Sequence, residues 1–341
     1  MKSSATNFKI SALKAYLTKL FDQQTLTQVE AHAAMRQLGE GGANAAETAA
    51  LLAVFRMRSL SVPELAGFRQ ALLELSLNPG LDTTEVLDIV GTGGDGKDTF
   101  NISTLAAFVV AGAGVKVAKH GNFGASSVCG ASNVLAHFGY DFEPGADRLR
   151  RQLEQAGICF LHAPAYHPAL RHAGPVRREL GLPTFFNLLG PLVNPARPQQ
   201  QLLGVFSQEL QRVYHYLLQP TGIRYAIVHA VDGYDELSLT GPARVLAPAG
   251  ERLLTPASLD LNQLLMSDLA GGSTIAASAD IFGNVLHGRA TVAQRTVVLA
   301  NAALALQVAQ PALEWADAMA QAAASLDSGA ARQAFETMLS L

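Results

Sequence analysis

Hydrophobic positions in the first 78 residues recur at helical spacing, with Ile10, Leu13, Leu17, Leu20 and Phe21 on one face. Start signals punctuate the stretch. Thr27-x-x-Glu30 and Ser61-x-x-Glu64 are capping boxes, in which a hydroxyl and a carboxylate satisfy each other's backbone N–H groups, and Asn44 with Glu47 is a weaker version. The pattern predicts three or four short helices, ended by the breaker Asn78-Pro79-Gly80.

After Thr84 the period changes, and short apolar strands alternate with helices, as in a largely parallel sheet. Candidate strands are Val86–Val90, Val115–Ala118, Ile158–His162, Gln201–Phe206 and Tyr225–His229; candidate helices lie near Thr104–Ala113, Ser127–Phe138, Ala146–Ala156 and Gln208–Leu218. From His167 to Arg197 prolines interrupt the alternation around one helix, Ala169–Leu180, an excursion expected to rejoin the N-terminal helices. Ala-rich helices close the chain, over Ala290–Ala309 and from Pro311 onward. The expected architecture is α/β: a small all-helical domain of residues 1–80 with 167–198, and a larger domain of residues 81–166 with 199–341.

The stretch Asp88–Asn122 carries the first chemical signal. An apolar run feeds Gly91, Gly93, Gly94 and Gly96, and a polar Thr99–Thr104 segment then opens an apolar helix. Glycines let backbone N–H groups approach a phosphate, and a helix N-terminus adds unsatisfied donors and a positive dipole end. From Thr99 to Tyr140 there is no Asp or Glu, and the formal charges are Lys116 and Lys119, so the local field favours an anion. Two familiar glycine motifs fail here. The dinucleotide fingerprint wants an acid about 20 residues on, where none stands, and the P-loop wants a hydroxyl where Asp98 stands.

Composition narrows the function. At 341 residues with a formal net charge of -3, the chain has no bulk positive charge for nucleic acid or a membrane surface, so an anion site must be local. The two cysteines, Cys129 and Cys159, lack metal-ligand spacing and suit reduced thiols. No signal peptide is apparent at the N-terminus, and the apolar run Leu105–Val115 is too short to span a bilayer, which points to a soluble cytoplasmic chain.

Three further features could serve a phosphate-bearing substrate. Lys119-His120-Gly121-Asn122 follows a predicted strand and leads to Ser126-Ser127; the alternative is a solvated lysine before a helix cap. Asp235-Glu236 follows an apolar strand, where ligands bind in α/β sheets and where carboxylates with phosphates suit magnesium; the alternative is an acidic surface turn. Only one of Arg177 and Arg178 can face inward, where a guanidinium suits a carboxylate or phosphate. The five-residue spacing of His162, His167 and His172 does not share a helix face, and no nucleophile elbow appears.

The ordered segments LTQVEAHAAM, VPELAGFRQAL, DIVGTGGDGKDTFNIST, VAKHGN, FLHAPAYHPAL, PVRRELGLPTFFNLLGPLVNPA and DGYDELSLTGPARV resemble the anthranilate phosphoribosyltransferase family nearly end to end. The resemblance implies a helical domain that dimerises, beside an α/β domain with a mixed sheet, a fold shared with pyrimidine nucleoside phosphorylases. It implies 5-phosphoribosyl 1-diphosphate as donor with two magnesium ions, anthranilate as acceptor, and a place in L-tryptophan biosynthesis. Carried onto this sequence, Gly91, Gly94, Asp95, Thr99, Asn101, Ile102, Ser103, Thr104, Lys119, His120, Gly121, Asn122, Phe123, Gly124, Ala125, Ser126, Ser127 and Ala131 would hold the donor. Gly91, Asn122, His167 and Arg177 would meet anthranilate, with His120 along its approach, and Ser103, Asp235 and Glu236 would serve the metal.

One loop departs from the family pattern. Phe123 stands where many members have Arg, and Cys129-Gly130-Ala131-Ser132-Asn133 where they have Ser-Gly-Ser-Ala-Asp, leaving fewer cationic donors. The missing nucleophile is expected for this chemistry, because an aromatic amine is already neutral at pH 7 and needs placement and a stabilised leaving group. Two other readings compete. Pyrimidine nucleoside phosphorolysis suits the glycine loop but not the tandem carboxylates, and a non-catalytic nucleic-acid-binding relative would need a basic face.

Overall fold

The computed structural model describes residues 12–341, apart from 83, 84, 125, 126 and 144, so Ile10, Ala125 and Ser126 lie outside the described residues. The N-terminal helices through Ser76, together with His167–Leu189, form one compact unit; Leu77–Tyr166 and Gly190–Leu341 form a second. The first begins with α1 (Ala12–Phe21), α2 (Gln28–Gly39), α3 (Ala45–Met57) and α4 (Val62–Glu74). The chain continues through β1 (Leu87–Gly91), α5 (Ile102–Gly112), β2 (Val117–Gly121), α6 (Ala131–His137), α7 (Ala146–Gln155), β3 (Ile158–His162) and the single turn α8 (Ala163–Tyr166). It returns to the first unit with α9 (Leu170–Leu180) and α10 (Phe186–Leu189). The second unit then resumes with β4 (Gln200–Gly204), α11 (Gln208–Leu218), β5 (Arg224–Ala230), β6 (Ala243–Ala247) and β7 (Gly250–Leu254). It ends with α12 (Ile275–Leu286), α13 (Val292–Ala309), α14 (Trp315–Asp327) and α15 (Ala330–Ser340).

All three N-terminal capping boxes form. Thr27 Oγ1 accepts the Glu30 N–H, Asn44 Oδ1 that of Glu47, and Ser61 Oγ that of Glu64, each returned by the glutamate. Glu64 also reaches beyond its own helix. Its buried carboxylate accepts Leu26 N–H at 2.9 Å and the Arg58 fork at 2.5 and 3.0 Å, tying the α2 entry to α4. A Cβ on Gly67 would lie 2.3 Å from Gln28 O, so α2 and α4 cross at a distance only glycine permits. Phe55, Phe68 and Phe185 fill the centre, their rings 5.0 to 5.3 Å apart.

The second unit is a seven-stranded sheet in the order β3-β2-β1-β4-β5-β6-β7. Strands β1 to β5 pair in parallel, while β6 and β7 add an antiparallel hairpin that the hydrophobic pattern did not reveal. The reason is exposure: β7, Gly-Glu-Arg-Leu-Leu, is a solvent-facing edge without an apolar run. Helix α12 also lay outside the predicted set, and α6 is shorter than the predicted Ser127–Phe138. Helix α5 and the Val297–Leu306 stretch of α13 are largely apolar and pack in the core beside the sheet. Among the described residues α13 is long and apolar enough to cross a membrane by composition alone, and most of it is buried within the protein.

From β1 the sheet runs through β2 to β3 on one side, and on the other through the parallel β4 and β5 to the β6–β7 hairpin. The β1/β4 junction is therefore the topological switch point, and the crevice beyond the strand C-termini there is where such sheets bind ligands.

Candidate active site

Glycine ends the strands at this crevice. Gly91 of β1 pairs in register with Gly204 of β4, and Gly121 ends β2 opposite His162 of β3. A Cβ on Gly91 would lie 2.3 Å from Asp235 Oδ2, and one on Gly204 would lie 1.6 Å from the Asp235 carbonyl oxygen. Both glycines thus make room for Asp235. Gly93, Gly94 and Gly96 serve differently, since they face open space but adopt positive φ, turning the loop beyond β1. The loop is pinned where Gly271 N–H meets Asp98 O at 2.8 Å and Phe100 N–H meets Leu269 O at 3.1 Å.

Asp235 and Glu236 are buried and reach in different directions. Asp235 Oδ2 accepts Gly93 N–H at 2.7 Å, whereas Glu236 accepts Ser103 N–H at 3.0 Å and Thr99 Oγ1–H at 3.2 Å. These bonds amend the sequence reading, in which the glycine loop and the α5 N-terminus offered all their donors to phosphate. Here Gly93 and Ser103 serve carboxylates, and the α5 dipole faces Glu236. Burial raises the pKa of both acids toward neutrality; Asp95, hydrogen bonded to Asp235, adds repulsion there, and Asp235 adds it at Glu236. Carboxylate oxygens of this kind suit a hard divalent cation. Among the described residues no group of three or more His, Cys, Asp or Glu side chains is arranged to hold a metal ion by itself.

Lys119 lies inside β2 and not at its end, because the strand begins at Val117 and runs on to Gly121. Its ammonium is buried and donates to Ile89 O, so the solvated alternative does not hold. Burial lowers its pKa to about 8, against the pull of Asp88, Glu236 and Asp235. Asp88 behaves reciprocally. Burial raises it to about 6, opposed by Lys119, by Asn194 Nδ2–H at 2.9 Å and by His120 N–H at 3.2 Å. His120 is buried beside it, its Nδ1 3.1 Å from Gly190 O.

The loop after Asn122 is organised by Asn133, whose Oδ1 accepts N–H groups from Gly124 at 2.9 Å and Gly130 at 3.0 Å. Asn122 O accepts Ser132 N–H at 3.1 Å, and Asn101 Nδ2 donates to Cys129 O at 2.9 Å, joining this loop to the start of α5. Phe123, at the departure from the family pattern, is edge-on to His162 at 4.9 Å and to Phe142 at 5.8 Å. The same His162 holds Ser132 Oγ through Nδ1 at 2.9 Å, and burial lowers its pKa to about 4, leaving a neutral ring. Ala131 caps the other side of Gly121, where a Cβ would also meet Phe160 at 2.7 Å.

The structure thus joins Gly91, Gly94, Asp95, Thr99, Asn101, Ser103, Lys119, Asp235 and Glu236 at one end of the sheet. Ile102 and Thr104 are buried in α5, so their side chains support the helix. Arg177 and His167 belong to the helical unit. There Arg177 is half-buried with its guanidinium 5.1 Å over the Phe186 ring, burial lowers its pKa, and Arg178 is exposed. Sequence reasoning missed Gly204, Asp88 and Tyr234, on whose ring Lys97 rests at 4.7 Å. Gly204 lay inside the predicted strand Gln201–Phe206, whereas the observed strand ends on it.

Comparison with known proteins agrees with this anatomy. Residues 14–76 match the helical bundle domain of a glycosyl transferase family, and residues 83–332 match that family's a/b domain. The anthranilate phosphoribosyltransferase of Cytophaga hutchinsonii is 51% identical over 324 residues, 95% of this chain and 99% of the relative. The crystal structure of the Thermus thermophilus enzyme is 36% identical, with a TM-score of 0.89 over 97% of this chain and 99% of the other. The Saccharomyces cerevisiae enzyme in complex with PRPP and Mg is 28% identical, with a TM-score of 0.88 over 97% and 98% of the two chains. The order of the elements, the carboxylates at the switch point and these likenesses together establish that the chain belongs to the anthranilate phosphoribosyltransferase family.

Proposed function

We propose that this chain transfers the phosphoribosyl group of 5-phosphoribosyl 1-diphosphate to the amine of anthranilate, giving N-(5-phosphoribosyl)anthranilate and diphosphate in L-tryptophan biosynthesis. The observation that carries the reading is the convergence of Asp235, Glu236 and Asp95 with a turned glycine loop at the β1/β4 switch point. Asp235, beside Gly93, and Glu236, beside Ser103 and Thr99, would hold magnesium, as two ions. When bound, the metal supplies positive charge against the departing diphosphate.

The chain's own residues do the rest. Gly94 and Gly96 turn their backbone toward the diphosphate with no side chain in the way, so donors approach closely and cost little reorganisation during bond cleavage. Lys119, held at Ile89 O, contributes a fixed cation behind the loop. Asn122 and the loop that follows it serve the donor beyond β2. Arg177, its guanidinium 5.1 Å over the Phe186 ring, takes the anthranilate carboxylate, and His167 of the same helical unit serves the acceptor. As the bond from ribose C1 to diphosphate breaks, the amine forms its bond to C1 and gives up a proton, which the leaving diphosphate can accept. Most of the rate enhancement then comes from holding a neutral amine against an activated C1.

The enzyme works in the cytoplasm as a homodimer built on the helical unit, where Phe21, Val29 and Met57 are apolar and exposed. Incubation of purified protein with anthranilate, donor and magnesium tests the activity through the loss of anthranilate fluorescence. No loss at any donor concentration would sink it.

A further inference from the structure

The run Val297–Leu306 on α13 is buried and apolar except for Asn301. An amide placed there costs free energy unless its hydrogen bonds are made. Two of them go to one residue across the core: Asn301 Oδ1 accepts Leu237 N–H at 3.0 Å and Nδ2 donates to Leu237 O at 2.9 Å, with a third to Val297 O on its own helix at 2.8 Å. The side chain thus mimics a strand partner, and gripping both ends of one residue fixes its rotation as well as its position. Leu237 follows Glu236 directly, and the gripped N–H belongs to the peptide plane that carries the Glu236 carbonyl.

The surrounding segment needs such a grip. From Tyr234 to Thr240 the chain is in no helix or strand, and the pairing of β5 with β6 resumes only at Ala243. Buried Leu239 sits at φ 61°, a left-handed conformation that a branched side chain keeps only when its surroundings impose it. Leu264 N–H holds Leu239 O at 2.9 Å, and Ser238 Oγ bonds Thr240 Oγ1 at 2.7 Å, but neither constrains the carboxylates directly. Asn301 acts one peptide away from Glu236, through the Leu237 backbone.

We propose that Asn301 is a positioning residue for the cation site, holding Asp235 and Glu236 in their binding geometry through the Leu237 backbone. The proposal rests on the assignment of those acids to the divalent cation, so its test includes variants for both. Mn2+ is titrated into the full chain with inorganic diphosphate, and binding is read from loss of the free-ion paramagnetic signal against diphosphate alone. Asn301→Asp and Asn301→Gln are expected to weaken Mn2+ binding roughly 10–100-fold, as loss of groups that orient metal ligands does elsewhere. Their KM for anthranilate is expected to stay at the wild-type value. Leu304→Ala, a core cavity on the same helix, should lower the Tm yet leave Mn2+ affinity unchanged.

Wild-type Mn2+ affinity in both Asn301 variants, with weakened binding in Glu236→Gln, overturns the positioning role alone. Wild-type affinity in Glu236→Gln overturns the carboxylate assignment and this proposal with it, and equal weakening in Leu304→Ala reduces Asn301 to a structural residue. Should the Asn301 variants not fold, hydrogen exchange of the wild-type protein decides. The Leu237 amide must be as protected without metal as the middle of α13, and protection that appears only with Mn2+ refutes the grip.

Discussion

Replacing Gly204 by alanine adds one methyl group at the point where β4 meets the metal-binding turn. The new Cβ would stand 1.6 Å from the Asp235 carbonyl oxygen, while ordinary contact begins at 3.4 Å, so the two backbones must part by 3.4 − 1.6, about 1.8 Å. Neither is a flexible side-chain end. Gly204 is locked in register between Gly91 and Val228, so the displacement passes to Asp235. Overpacking of this kind costs about 1–3 kcal/mol of stability. Misplacing a catalytic group by ~1 Å costs about 100-fold in rate, or about 2.7 kcal/mol in the barrier. Gly204→Ala should therefore fold, unfold at lower temperature, and lose about 100-fold in kcat/KM by anthranilate fluorescence, with a raised magnesium requirement. A folded variant with wild-type kcat/KM and magnesium dependence would refute the claim that Gly204 exists to admit Asp235.

Other outcomes follow from the same geometry. Because Asp235 and Glu236 have raised pKa values, the metal-free protein carries their stabilising protonated forms in acid and loses that contribution as pH rises toward neutrality; cation binding must displace the protons. The Tm increment from magnesium with diphosphate should hence grow from pH 6 to pH 8, and a flat or falling increment contradicts the shifts. Glu64→Ala should cost about 3 kcal/mol in urea unfolding, since it strands Arg58 and the Leu26 amide. Burial raises the Glu64 pKa, but its bonds with Arg58, Leu26 and Ser61 outweigh that and lower it, so the wild-type advantage should fade only as acid protonates Glu64. Arg177→Ala should raise KM for anthranilate more than for the donor, and Arg177→Lys should not rescue it, because lysine lacks the planar guanidinium fork that lies over Phe186. Equal effects on both substrates would make Arg177 structural.

What the sequence disclosed was local. Capping boxes lie three residues apart, and Thr27, Asn44 and Ser61 each start a helix as read. The apolar runs of β1, β3, β4 and β5 stand within a residue or two of their predicted ends, because strands buried on both faces announce themselves. Long-range partners were hidden. Nothing in the order of residues says that Asp235 will meet Gly93, that Lys119 will be drawn inside β2 above Asp88, or that Asn301 will hold Leu237. The edge hairpin escaped for a different reason, since β7 buries too little to impose a pattern. Phe123 shows both limits: its departure from the family was visible, but its seat against His162 and Phe142 required the fold.

The most direct measurement follows the acceptor and the leaving group at once, anthranilate consumption by fluorescence and diphosphate release by an enzyme-coupled assay. It compares the wild type with Asp235→Asn and Glu236→Gln, with and without magnesium. The account predicts equal amounts of diphosphate released and anthranilate consumed, dependent on magnesium and lost in both variants. Diphosphate released without anthranilate consumption, or undiminished transfer in the carboxylate variants, would contradict it.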